Sequence, residues 1–132
     1  MKYSPPGLGG MLNLDTNVLL ALMEDKLRAD EERAMDHDPE WGISAIVFWE
    51  LTKLWQVGKL KRSPSDAVLN AALRQLAIWP LTHEIAQGIL RLDFSSDPAD
   101  EIIAATSLVH GAPLLTRDDR ILRSNITPLA IR

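Results

Sequence analysis

Met11-Leu12-Asn13-Leu14-Asp15-Thr16-Asn17-Val18-Leu19-Leu20 is the stretch on which the reading of this chain turns. An apolar run meets an acid and then two more polar residues, and a second apolar run follows. Residues 12–15 read as a short buried strand. Val18 to Met23 read as a helix or helical turn, with Asp15, Thr16 or Asn17 available to cap it. Acidic side chains are rarely buried alone. A carboxylate at such a junction needs a cation, a hydrogen-bond donor or a raised pKa.

Three more acids stand in similar surroundings. Glu50 follows Ala45-Ile46-Val47-Phe48-Trp49 and precedes Leu51. Asp100 precedes Ile102-Ile103-Ala104-Ala105. Asp118 closes Pro113-Leu114-Leu115-Thr116-Arg117. Each also has an ordinary reading: Asp15 as a helix cap, Asp118 with Asp119 as a solvated turn, Glu50 as the partner of Lys53 or a distant arginine. As a set that converges, the four would form a hard-cation site with oxygen ligands suited to magnesium or manganese.

The elements between them alternate. Glu24 to Met35 suits an amphipathic helix, broken by His37-Asp38-Pro39-Glu40. Trp41 to Ser44 reads as a second strand, with Ser44 capping a helix from Ala45 to about Gln56 that Gly58 ends. Ser63-Pro64 is read as the start of a further helix through Leu76. Ile78 to Leu81 is a third short strand, and Thr82 caps a helix through Ile89. Ser96, Asp97 and Pro98 open the helix that carries Asp100 and ends at His110-Gly111. Pro113 to Thr116 is a fourth strand, and Thr127 to Ile131 a candidate fifth. Strands separated by helices imply an α/β fold with a short, mostly parallel central sheet flanked by helices in three layers. Ligands of such sheets bind beyond the carboxyl ends of the strands, where Asp15 and Asp118 are expected.

Composition narrows the field. The 132 residues suit one domain, with 46% hydrophobic residues and no cysteine. Disulfides and thiolate metal sites are thereby excluded. No apolar stretch is long enough to span a membrane, and the N-terminus lacks the apolar middle of a secretory signal, so a cytoplasmic location is expected. Residues 1–10 read as a flexible lead-in to a single domain over 11–132, with Met11 an alternative natural start to Met1. The net charge of −4 shows no general nucleic-acid footprint. Basic residues are local: Lys53, Lys59, Lys61 and Arg62 in one stretch, Arg117, Arg120 and Arg123 in another. His37, His83 and His110 have no ligand spacing; His110 is placed near a helix end, where a cation is favoured. Trp49 and Trp79 are read as core, Trp55 as partly exposed.

Four segments, in order, resemble a PIN domain, and more narrowly a VapC-type toxin nuclease: Leu14-Asp15-Thr16-Asn17-Val18-Leu19-Leu20; Ser44-Ala45 to Phe48-Trp49-Glu50-Leu51 and Gly58-Lys59-Leu60; Asp97-Pro98-Ala99-Asp100 with Ile103-Ala104-Ala105-Thr106; and Gly111 to Asp118. The resemblance implies a PIN-like fold and a magnesium- or manganese-dependent endoribonuclease that leaves a 3′-hydroxyl and a 5′-phosphate. It implies a cognate antitoxin partner and a homodimer. It carries the catalytic site onto Asp15, Glu50, Asp100 and Asp118, with Asn17 and Thr116 as polar supports. Asp15 and Asp100 are then expected to anchor the ion, directly or through waters. Asp118 completes the cluster or binds a second ion, and Glu50 orients a water or accepts its proton. Lys53, Lys59 and Arg117 are candidate RNA contacts. The pattern departs from its relatives where a His-Arg pair and an Arg are usual; Ser95-Ser96 and Glu101 stand there. Two other functions are weighed: a non-catalytic PIN-like RNA- or protein-binding module, and a phosphotransferase. The latter lacks a second aspartate after Asp15.

Overall fold

The computed structural model describes residues 11–38 and 40–131, so the expected lead-in lies outside the described residues. Four parallel strands form the sheet: β1 (Met11–Leu14), β2 (Glu40–Ser44), β3 (Ala77–Trp79) and β4 (Leu114–Leu115), in the order β3-β2-β1-β4. The sheet is therefore wholly parallel among the described residues. Its connections are helical: α1 (Thr16–Met23) and α2 (Ala29–His37); α3 (Ile46–Gln56) and α4 (Ala67–Leu73); α5 (His83–Gly88), a 3-10 turn and α6 (Pro98–His110); and α7 (Asp119–Leu122) after β4.

β1 lies between β2 and β4 and is buried along its whole length. Its register pairs Asn13 with Gly42 on one side and with Leu114 on the other. Leu12, Leu14, Ile43, Leu114 and Leu115 feed one core with Val18 and Leu19 of α1, Val47 and Leu51 of α3, and Ile103 of α6. Burial on both faces is why these strands read as continuous apolar runs rather than alternating ones. Gly42 is required by packing, since a Cβ there would stand 2.8 Å from the Trp79 ring and 3.1 Å from the Ala77 carbonyl oxygen. Gly111 closes α6 in the left-handed region, φ 65°.

Several boundaries differ from the sequence reading, each for a local reason. The charged helix expected over Glu24–Met35 begins instead at Ala29. α1 closes with Asp25 at φ 57°, and the Lys26 amide reaches back to the Ala21 carbonyl at 2.8 Å. The chain then re-enters a helix where the Glu31 side chain accepts the Arg28 amide at 2.8 Å. The helix expected from Ser63-Pro64 starts at Ala67, because Asp66 accepts the Leu69 amide at 3.0 Å while the Ser63 hydroxyl serves Ser65. The expected strand over Thr127–Ile131 is a single parallel bridge, Leu114 to Leu129. β4 offers only two residues to pair with, and Pro128 has no amide hydrogen to donate. Trp49, expected in the core, is 50% exposed, whereas Trp79 is buried and Trp55 exposed as expected. His110 does end α6, where burial lowers its pKa from the usual imidazole value and Glu84 opposes that.

Candidate active site

At the carboxyl end of β1 the chain must turn into α1, and Asp15 is the turning residue. Its Oδ1 accepts the Thr16 amide at 2.8 Å, and its Oδ2 accepts the Thr116 hydroxyl at 2.6 Å. Thr116 directly follows β4, so the strand pairing of Leu14 with Leu115 brings the two together across 101 residues of sequence. Asp15 is only 4% exposed. That burial is the main reason its pKa rises to about 6; the hydroxyl and amide bonds oppose it, and Asp100 and Asp118 add repulsion.

Glu50 arrives from α3. Its Oε1 accepts a hydrogen bond from the Thr16 hydroxyl. Burial raises its pKa first, with Asp15, Asp100 and Asp97 adding to the rise against the Thr16 bond. Asp100 lies in the first turn of α6, where its Oδ2 accepts the Ser96 hydroxyl at 2.8 Å. Its pKa is also raised by burial, then by Asp118 and Asp97, while Arg120 pulls it down. Asp118 caps α7, its Oδ1 accepting the Arg120 and Ile121 amides at 2.8 and 3.2 Å. The cap and the site residue are therefore one side chain, a dual role that sequence alone presents as alternatives.

Asp100 thus bears on the charge of both Asp15 and Glu50, and Asp118 on that of Asp15 and Asp100, at one edge of the sheet. Among the described residues no lysine or arginine forms an ion pair with any of them. The donor set is wholly oxygen, which fits a hard divalent cation. Among the described residues no three His, Cys, Asp or Glu side chains close around a point that would hold an ion. Their oxygens are instead turned toward Thr116, Thr16, Ser96 and helix amides. This suits magnesium held by one or two carboxylates and otherwise by water, rather than a dedicated cage.

The remaining sequence candidates are placed as follows. Thr116 is engaged as described. Asn17 is exposed, and among the described residues no hydrogen bond joins it to the carboxylates. Lys53 and Lys59 are exposed on and after α3, with the Lys53 ammonium 5.9 Å from the Trp49 ring centroid. Arg117 has another engagement: its Nε and Nη2 donate to both Glu31 oxygens at 2.8 and 2.7 Å, and Nη2 also reaches the Lys26 carbonyl at 3.1 Å. Glu31 is 3% exposed, so this forked pair is a clamp between α2 and the loop that carries Thr116 and Asp118. Two contributors lay outside the sequence reading of the site. Thr16 holds Glu50, and its signal was a hydroxyl directly after the strand aspartate. Ser96 holds Asp100, while its amide donates to Glu101 at 3.2 Å.

A family model for the PIN domain matches residues 13–125. The chain belongs to the PIN domain family. Ribonuclease VapC22 of Mycobacterium tuberculosis is 30% identical to this PIN domain over 106 residues, covering 78% of this chain and 81% of that one. Among solved structures, a toxin–antitoxin complex from Klebsiella pneumoniae matches with a TM-score of 0.67 at 24% identity, over 89% of this chain and 94% of its own. VapBC2 from Rickettsia felis, bound to a DNA fragment from its promoter, matches with a TM-score of 0.68 at 20% identity, over 92% and 97%. These two likenesses establish the shared fold. Among the described residues no helix is long and apolar enough to cross a membrane.

Proposed function

We propose that this PIN domain is a VapC-type endoribonuclease, the toxin of a toxin–antitoxin pair, and that it depends on magnesium or manganese. The observation that carries the reading is that Asp15, Glu50 and Asp100 feel one another's charge at the carboxyl edge of the sheet, with Asp118 beside Asp15 and Asp100, and that among the described residues none of the four forms an ion pair with a lysine or arginine. The name of the Mycobacterium tuberculosis relative supports RNA as substrate, and the toxin–antitoxin structures support an antitoxin partner.

Asp15 and Asp100 would hold the ion, directly or through waters, with Asp118 reaching it through water or holding a second ion. When bound, the cation neutralises phosphate charge and lowers the pKa of water. Ser96 holds one oxygen of Asp100 and leaves the other for this purpose, whereas both Asp15 oxygens already accept a bond, from Thr16 and Thr116, and would meet the ion through their remaining lone pairs. Thr16 fixes Glu50 through one oxygen, leaving its second to orient a water or take its proton. The raised pKa of Glu50 makes it a better proton acceptor than an ordinary carboxylate. Water attack at phosphorus, with the bond to the 3′ oxygen breaking and that oxygen taking a proton, leaves a 3′-hydroxyl and a 5′-phosphate. The homodimer belongs to the same reading: Leu90, 87% exposed beside α5, is the sort of side chain a second copy would cover.

The test is digestion of a pooled tRNA, rRNA and mRNA sample by the purified chain in Mg²⁺, Mn²⁺ or EDTA, beside Asp100→Asn. Discrete cuts that need the ion and vanish in the variant are expected. Retained RNA binding with no cutting under any condition would overturn the nuclease reading in favour of a binding module.

A further inference from the structure

The acidic edge raises a problem for an RNA substrate. Phosphates flanking the cut must lie beside four carboxylates, and the residue after the α6 aspartate, Glu101, adds a further acid. The cleft in front of Asp100 has a second wall. It is lined by Ser96, Asp97 and Asp100 at the start of α6, and by Asp118, Asp119, Arg120 and Arg123 of α7 and its caps. Asp118 makes this wall by capping α7, which places Arg120 and Arg123 three residues apart, on one face of a single turn. Both arginines are exposed. Arg120 spans the cleft mouth: its Nη1 donates to the Ser95 carbonyl at 2.8 Å. That bond uses one of five guanidinium hydrogens and leaves a fork for a phosphate. Arg123 has no ion-pair partner among the described residues. By contrast Arg117, the third arginine of the same stretch, is occupied by Glu31.

We propose that Arg120 and Arg123 form the phosphate-binding rim of the cleft, seating the RNA backbone next to the bond that is cut. The proposal rests on the ribonuclease reading. It assigns the substrate-facing cations to α7 rather than to α6 or to the lysines of α3. Arginine suits the place because its planar fork meets two phosphate oxygens at once and its charge does not titrate. The pair offsets the carboxylate repulsion only where the backbone passes, so the ion site stays free to take a cation.

The experiment measures binding of a short, mixed-sequence, fluorescein-labelled single-stranded RNA in Mg²⁺ across a salt series. It uses the full chain carrying Asp100→Asn to prevent cutting, with and without Arg120→Ala and Arg123→Ala. Each lost phosphate contact should lower the slope of log affinity against log salt by about 0.7. The double variant should therefore fall by about 1.4. Arg120→Lys with Arg123→Lys should restore the slope, and Arg123→Ala alone, which breaks no hydrogen bond in the structure, should show its share without a change in melting temperature. In the cutting chain, Arg123→Ala should raise KM with kcat nearly unchanged. An unchanged slope with intact RNA binding would overturn the rim and leave the nuclease reading standing. Wild-type protein that neither binds nor cuts RNA would overturn both.

Discussion

The two walls of the site are built on different principles. Asp15 and Glu50 are half or fully buried, each held by a threonine hydroxyl that neighbours the β1 turn or follows β4. Asp100 and Asp118 face an open cleft, held by a serine and by helix amides, with two arginines in the same lining. The first wall stores unfavourable charge in a rigid setting; the second is where solute arrives. The difference teaches that electrostatic stress and substrate access are divided between elements, the sheet end carrying one and the short α7 the other.

The largest expected effect treats the walls alike. Asp15→Asn and Asp100→Asn should each lower cleavage by more than about 100-fold, since removal of groups merely supporting a metal site already costs about 10- to 100-fold. Measured rates at saturating Mg²⁺ would check this, and retention of activity by either would break the idea of one shared site.

Stability should separate the walls. The pKa of Asp15 is raised, so its folded form keeps a proton that the unfolded chain has released. Its contribution is fully present below about pH 3.8, falls as pH rises, and is lost above about pH 6. The loss is on the order of 3 kcal/mol. In EDTA the melting temperature should therefore drop from pH 4.5 to 7.5, Asp15→Asn should flatten that drop, and Mg²⁺ should reverse part of it. A metal-free melt that rises over this interval in parallel for wild type and variant would refute the assignment.

Arg117→Ala should destabilise the chain by about 2 kcal/mol, because it strands the buried Glu31 carboxylate. Arg117→Ala with Glu31→Met should recover most of the loss in urea unfolding. The smallest pair of effects compares the hydroxyls directly. Thr116→Val should cost about 1.5 kcal/mol, whereas Ser96→Ala should cost less than about 0.5, since water can replace the serine beside a half-exposed Asp100. Equal costs would erase the distinction between the walls.

Much of the fold was legible because its signals are local. The β1 run, the Thr82 and Asp97-Pro98 starts and the Gly111 stop all depend on residues within a few positions. The misplaced starts of α2 and α4 show where local signals compete: Asp66 and Ser63 are both good caps, and only hydrogen-bond geometry chose between them. Trp49 was misread for a related reason. Its apolar neighbours mark α3 as partly buried, but not which face a given residue takes.

Among the site residues, the four acids could be read from sequence because a carboxylate at the end of an apolar run is costly without a purpose. Their partners could not. Thr16 next to Glu50, Thr116 next to Asp15 and Arg117 next to Glu31 join residues 34, 101 and 86 positions apart. Residue type thus determined the α/β order and the oxygen-rich chemistry of the site, since both follow from local polarity and charge. Strand register and helix packing alone decided which oxygens are held, which arginine is spent on the scaffold and which two remain facing the cleft, because those depend on distances that no spacing along the chain encodes.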